Sequence, residues 1–231
     1  MKAVTTPHST NALAEEVYRR LKQEIFDFYL LPYDRFTENQ LADRYQVSRT
    51  PVRDALYRLQ REGYLEVEFR RGWSVKPLDF TQIDQLYDLR IVLECAAVER
   101  ICASAEVHPE LNVLRGHWLV DKAQWHTDMQ IVADLDEQFH TQLVAASGNQ
   151  EMARVHHDVT ERIRIVRRLD FFKSARIEHT YLEHAAILNA LHARKRDEAL
   201  LLLRSHVEIS KLEVRKLTIS MLSDARRQHK A

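Results

Sequence analysis

Glycine is nearly missing from this chain: Gly63, Gly72, Gly116 and Gly148 are the only four in 231 residues. A loop that cradles phosphates needs several glycines close together, so both Gly-rich nucleotide motifs are excluded. A β-rich fold is disfavoured for the same reason, because its many tight turns call for residues at positive φ. Cysteine is scarcer still. Cys95 and Cys102 lie seven apart on one expected helix, beyond disulfide reach and without the CxxC spacing of a metal pair, and read as small buried hydrophobes. No apolar run is long enough to span a bilayer and the N-terminus shows no signal-peptide pattern. The expected location is cytoplasmic, with no membrane partner. Net charge is absent too, since 34 Lys and Arg balance 34 Asp and Glu. What is present, 45% apolar and 29% charged residues, is the composition of a globular chain that should be mostly helical.

The charge balance hides a local excess. Residues 44–76 hold eight basic side chains (Arg44, Arg49, Arg53, Arg58, Arg61, Arg70, Arg71, Lys76) against four acidic ones. This window is the candidate contact for a polyanion. Histidine is uneven as well: eleven of twelve follow residue 100.

Apolar periodicity divides the chain. Leu13, Val17, Leu21, Ile25 and Phe28 form one stripe, predicting a helix over 11–28 that Ser9, Thr10 or Asn11 could cap. Thr37 and Gln40 form a capping box that opens a short helix to Tyr45. Ser48 is expected to cap a third helix ending at Glu62, with Gly63 as its stop. Tyr64–Phe69 and Trp73–Val75 alternate like two strands of a hairpin around Arg70-Arg71-Gly72. This order is that of a winged helix-turn-helix. Beyond Pro77 only helices are expected: one from Thr81 onward with the stripe Ile83, Leu86, Leu89/Arg90, Leu93 and Ala97, and others near 109–126, 128–146, 150–169, 176–193 and 196–222. The predicted fold class is mainly α: three helices plus a β-hairpin wing over 9–76, a linker at 77–80, an antiparallel helical bundle over 81–222, and a tail at 223–231.

On the third helix Val52, Ala55, Leu56 and Leu59 share one side, while Arg49, Arg53, Tyr57 and Gln60 share the other. Recognition helices present such a face to the major groove, where the planar fork of arginine can bond guanine O6 and N7 together. Arg44 and Ser48 are better placed for phosphates. The run Val47-Ser48-Arg49-Thr50-Pro51-Val52-Arg53-Asp54-Ala55-Leu56, followed by Leu59, Glu62-Gly63 and Arg71-Gly72, resembles the core motif of the GntR family of bacterial transcription regulators. The resemblance covers residues 11–76. It implies that Ser48, Arg49, Thr50 and Arg53 contact operator DNA, with Arg71 and Gly72 at the wing. Two positions depart from it. Tyr33 and Gln46 stand where the family often has glycine, in loops that favour unusual φ.

In the helix near 128–146, Asp136 and His140 fall on or beside the apolar stripe of Val132, Phe139 and Leu143. His184 lies on the stripe of Ile177, Tyr181, Leu188 and Leu191, and His206 lies between Leu202 and Ile209. Three helices thus aim Asp136, His140, His184 and His206 inward. One carboxylate and three imidazoles suit Zn²⁺ or Ni²⁺, with Mn²⁺ also compatible. The plainer alternative is a buried His140–Asp136 pair. Asp136-Glu137-Gln138-Phe139-His140, Leu143, Ser147-Gly148-Asn149, Glu183-His184, His206, and Arg90 with Glu94 resemble the FCD domain of the FadR branch of that family. The six-helix count suits its shorter, VanR-like form. That resemblance implies that Asp136, His140, His184 and His206 are the metal ligands, with a small carboxylate effector beside them. Arg90 and Asn149 are the expected effector contacts, although Arg90 could instead pair with Glu94.

The expected function is a ligand-responsive transcription regulator, a repressor that binds double-stranded palindromic operator DNA as a homodimer and senses a small organic acid. The alternatives are a metal-dependent hydrolase and an effector-free architectural DNA-binding dimer.

Overall fold

The computed structural model describes residues 10–27, 29–104, 108–170 and 174–216, together with residues 224 and 227. The chain divides into two compact units that part between Leu78 and Asp79.

The first unit opens with α1 (Thr10–Phe26), whose stripe buries Val17, Leu21 and Ile25. Phe28, the expected last member of that stripe, lies outside the described residues, as does Ser9. Phe26 completes the face instead, edge-on to Tyr64 at 5.2 Å. Next come β1 (Arg35–Phe36), α2 (Glu38–Tyr45) and α3 (Arg49–Arg61). The capping box forms as expected: the Gln40 N–H donates to Thr37 Oγ1 at 3.2 Å, and the Thr37 N–H donates to Gln40 Oε1 at 2.8 Å. Gly63 ends the third helix at φ +84°, a left-handed backbone in which glycine carries no Cβ penalty. Tyr33 and Gln46 do sit at positive φ, 71° and 55°, where glycine would be unstrained.

The wing is larger than the expected hairpin. β2 (Leu65–Glu68) and β3 (Gly72–Val75) pair antiparallel, and β1 adds to the other edge of β3, giving the order β1-β3-β2. Arg35 faces Ser74 and Phe36 faces Trp73. A two-residue strand has no periodicity to read, and its partner lies nearly 40 residues away. Its arrival explains Gly72: a Cβ there would stand 2.7 Å from the Phe36 carbonyl oxygen.

The second unit contains α4 (Phe80–Ala103), α5 (Pro109–Trp118), α6 (Met129–Ala145), α7 (Gln150–Asp170), α8 (Ser174–His192) and α9 (Arg196–Arg215). Asp79 caps α4 by accepting from the Thr81 and Gln82 N–H groups, so Phe80 belongs to the helix and not to the linker. The helix expected over 109–126 breaks after Trp118 and resumes as a single 3₁₀ turn, Lys122–Gln124. Tertiary packing overrides the pattern there. Trp118 is buried against Tyr181, and the break lets Trp125 fold back to stack on the same ring at 4.6 Å. Among the described residues α9 ends at Arg215, and the expected continuation over 217–222 lies outside them, as does most of the 223–231 tail. The buried core includes Tyr87, Val98, Phe139, Leu143, Ile163, Leu188 and Val207. No described helix is long and apolar enough to cross a membrane.

Candidate functional site

In the first unit α3 buries Val52, Ala55, Leu56 and Leu59 and leaves Arg49, Thr50, Arg53, Tyr57 and Gln60 exposed. Ser48 occupies the cap position but makes no side-chain capping bond. A cap oxygen normally takes the N–H of the second or third helical residue; the third is Pro51, which has none. The exposed Ser48 hydroxyl is thus available to a phosphate. Arg44 is exposed and paired with Glu24 at 3.1 Å. Arg70 (φ 61°) and Arg71 stand exposed at the wing tip. Tyr57 packs edge-on to Trp73 at 5.3 Å, tying the wing to α3.

Sequence reasoning missed Glu38, in the first turn of α2. Its carboxylate accepts from Arg53 Nε (3.1 Å), Arg53 Nη2 (2.8 Å) and Arg49 Nη2 (2.9 Å). The hydrogen bonds from Arg53, with those from Arg49, outweigh partial burial and hold the Glu38 carboxyl below the usual range. The two arginines are therefore held in one bracket before any DNA arrives.

In the second unit α6 carries Asp136 and His140 one turn apart, α8 carries His184 and α9 carries His206. All four are buried, and one ligand atom from each lies within 4.8 Å of the others. His140 Nε2 is 3.2 Å from His206 Nε2, and His184 Nε2 is 3.3 Å from His206 Nε2. Asp136 Oδ1 is 3.4 Å from His184 Nε2 and 3.7 Å from His140 Nε2. Donors bonded at about 2.0–2.1 Å to one tetrahedral ion stand roughly 3.3–3.4 Å apart, so these spacings fit a divalent cation.

The surrounding bonds determine where the imidazole protons are. His140 Nδ1 faces Glu94 Oε2 at 2.8 Å and His206 Nδ1 faces Glu183 Oε2 at 2.7 Å. Each carboxylate can only accept, so each Nδ1 donates to it and turns its Nε2 toward the other ring. His140 Nε2 and His206 Nε2 stand 3.2 Å apart, and a cation held between them would find both nitrogens aimed at it. Burial, reinforced by the Arg90 charge, pushes the His140 pKa down to about 4. Burial, with His206 alongside, holds His184 well below its ordinary value. Both stay neutral, as metal ligands must.

Behind the cluster stands a layer of ion pairs. Glu94 accepts from Arg90 Nε (2.6 Å) and His156 Nε2 (3.0 Å) as well as from His140. Burial alone would raise its pKa, but Arg90 and His140 overcome that and hold it well below the carboxylate range. Asp136 is likewise buried yet held low, chiefly by Arg167, whose Nη2 donates to its Oδ2. Arg176 pairs with Glu183 at 3.2 Å. Carboxylate–histidine pairs of this kind orient imidazole ligands and strengthen their basicity. His156 and Arg167 were not singled out as site residues from sequence. The signal was there, since both follow the stripe of Val159, Ile163 and Val166 on α7.

Of the expected effector contacts, Arg90 is buried in its pair with Glu94. Asn149 lies half-buried in the turn before α7, where its Oδ1 accepts from the Met152 N–H at 3.1 Å, a helix-capping role.

A winged helix with an arginine face, in one chain with a helical unit built around a buried metal-capable cluster, defines a one-component regulator. Residues 13–75 match the bacterial regulatory proteins of the gntR family, and residues 85–209 match the FCD domain. The chain belongs to the GntR family: it is a transcription regulator with an FCD ligand-binding domain, and not an enzyme. It is 34% identical over 181 residues to the Nta operon transcriptional regulator of Aminobacter aminovorans, covering 78% of this chain and 84% of that one. It is 24% identical over 221 residues to the HTH-type transcriptional repressor RspR of Escherichia coli, covering 94% and 95%. Among solved structures, a GntR regulator from Rhodococcus sp. RHA1 shares the fold with a TM-score of 0.68 at 23% identity, covering 89% of this chain and 98% of that one.

Proposed function

We propose that the chain is a metal-dependent, acid-responsive repressor that binds a palindromic operator as a homodimer. One observation carries the reading: three imidazoles and the Asp136 carboxylate converge in a buried cluster, each offering one ligand atom within 4.8 Å of the others. Three nitrogens and one oxygen favour Zn²⁺ or Ni²⁺, with Mn²⁺ next. When bound, such an ion supplies a Lewis-acidic position that a carboxylate can occupy. Asp136, His140, His184 and His206 hold it. Arg90 and Asn149 act behind the pocket, the first through Glu94 and the second through the start of α7.

On the DNA side Arg49 and Arg53 read base edges. Arg44, Ser48, Thr50 and Arg71 hold the backbone, and Gly72 shapes the wing. Two-fold dimers present paired recognition helices to paired half-sites. The named repressor among the relatives supports the sign of the response.

The test is a thermal-shift panel on metal-stripped full-length protein, with and without Zn²⁺ or Ni²⁺ and a set of small organic acids. An acid at a hundred times its Kd adds about 2.7 kcal/mol, roughly 5–10 °C for a chain of this size. The expected result is an acid-induced shift that needs the metal, with the same acid releasing operator DNA. A shift of equal size without metal would defeat the reading.

A further inference from the structure

A half-open cavity of about 260 Å³ lies in the second unit where α5 meets the last turns of α4 and α8. Asp136, His140, His184 and His206 do not line it. Helix α8 serves both places, since Leu188 and Leu191 of the cavity wall follow His184 by one and two turns. The inner wall is apolar: Ile101, Leu188 and Leu191 are buried, and half-buried Leu111 joins them from α5. The space would hold about nine waters at about 30 Å³ each, which puts it at the small end of ligand pockets.

Its charge is of one sign. Arg115 and Arg194 line the cavity, and among the described residues no acidic side chain does. Elsewhere in this unit Arg90, Arg164, Arg167, Arg176 and Arg215 each hold a carboxylate. These two hold none. Arg115 Nη1 donates to His192 Nδ1 at 2.9 Å, and Arg194 Nη1 donates to the Ser104 carbonyl. Arginine can only donate, so the His192 ring is neutral and cancels no charge. Two guanidinium charges at a cleft with apolar walls concentrate their field on an incoming anion. Hydrogen bonding gives a separate observation. His108 lines the same cavity, and its Nε2 is shut off from solvent without a partner. Buried polar atoms normally have one.

We propose that this cavity is a second ligand site, separate from the metal cluster, for a small monoanion with an apolar body, such as an aromatic or medium-chain acid. The body lies on Ile101, Leu111, Leu188 and Leu191, and Arg115 and Arg194 take the charged head, with His108 beside them. A carboxylate is a stronger acceptor for Arg115 than the imidazole it now holds, and a guanidinium fork bonds it at two points. An uncharged molecule forgoes that pairing, and a head without a body leaves the apolar wall wet. The site does not rest on the metal-dependent reading above, because it needs neither the ion nor the four cluster residues.

The experiment is calorimetric titration of the full-length protein with benzoate and hexanoate, once with Zn²⁺ bound and once stripped of metal. Benzyl alcohol and acetate are the controls, the first lacking the charge and the second the body. At least one of the two acids is expected to bind the stripped protein as tightly as the loaded one, and about tenfold or more tightly than either control. Arg115→Gln and Arg194→Gln should each weaken that acid about tenfold and leave the melting temperature unchanged, since neither side chain is buried. Acid binding that requires Zn²⁺ puts the ligand at the cluster, which overturns this site and leaves the metal-dependent reading standing. No binding to the stripped protein overturns it as well. Equal affinity for acetate or benzyl alcohol overturns the ligand class, and binding that survives both substitutions overturns the arginine assignment.

Discussion

Glu38 shows how one side chain can set the behaviour of a DNA-reading surface. It holds Arg49 and Arg53 together, and it also places a negative charge where phosphates will approach. Glu38→Gln should raise affinity for a scrambled duplex several-fold, by about one charge's worth of counterion release, while affinity for the operator rises less or falls. Fluorescence anisotropy on the two duplexes measures the ratio. An equal gain on both would mean that Glu38 contributes charge and no ordering of the arginines. Tyr33 is a case of local strain. It is 66% exposed at φ 71°, with its N–H bonded to the Val75 carbonyl. Tyr33→Gly keeps that bond and removes the Cβ penalty, so the winged unit should gain about 0.5–1 kcal/mol in denaturant unfolding. Both strained positions were visible in the sequence, because Tyr33 and Gln46 occupy loops where glycine is the ordinary choice. Glu38 was not visible: nothing in a one-dimensional pattern says that the first turn of α2 lies beside the first turn of α3.

At the scale of the element, helical stripes made most of the bundle legible. Asp136, His140, His184 and His206 could be singled out because a charged or polar residue amid an apolar stripe is an anomaly that needs a partner. The supporting layer was less legible. Glu94 lies 46 residues before His140, and Glu183 reaches His206 from the neighbouring helix, so those bonds exist only after packing. Two elements eluded the pattern for different reasons. β1 is too short to show alternation, and α5 stops where Trp125 gains more by stacking on Tyr181 than by extending a helix. The supporting layer yields a direct prediction. Glu94→Gln keeps the shape but loses the charge that orients His140, and should weaken Zn²⁺ binding about 10–100-fold in a chelator competition. It also strands Arg90, which is 1% exposed, so the second unit should lose about 3–5 kcal/mol in denaturant unfolding. Unchanged metal affinity in a folded variant would remove Glu94 from the centre.

For the whole molecule, neutrality does not prevent DNA binding, because residues 44–76 concentrate eight basic side chains against four acidic ones. Arg49→Ala should cost about 1–3 kcal/mol and relax preference at one base position, while Arg71→Ala should weaken all duplexes alike and lower the salt slope by about 1. Selection from a randomised operator library, repeated at two salt concentrations, separates the two. If both substitutions act alike, the division between base-reading and backbone-holding arginines fails.

The four close ligand atoms of Asp136, His140, His184 and His206 have a practical consequence for anyone who purifies the protein. Three imidazoles and a carboxylate gathered within one ion's reach form a scavenger. A preparation passed over a nickel-charged resin should therefore leave the column carrying nickel, whatever ion the cell supplied. Any metal the cell supplies has to be read from protein that has met neither resin nor chelator, and operator affinities are to be compared between the two preparations.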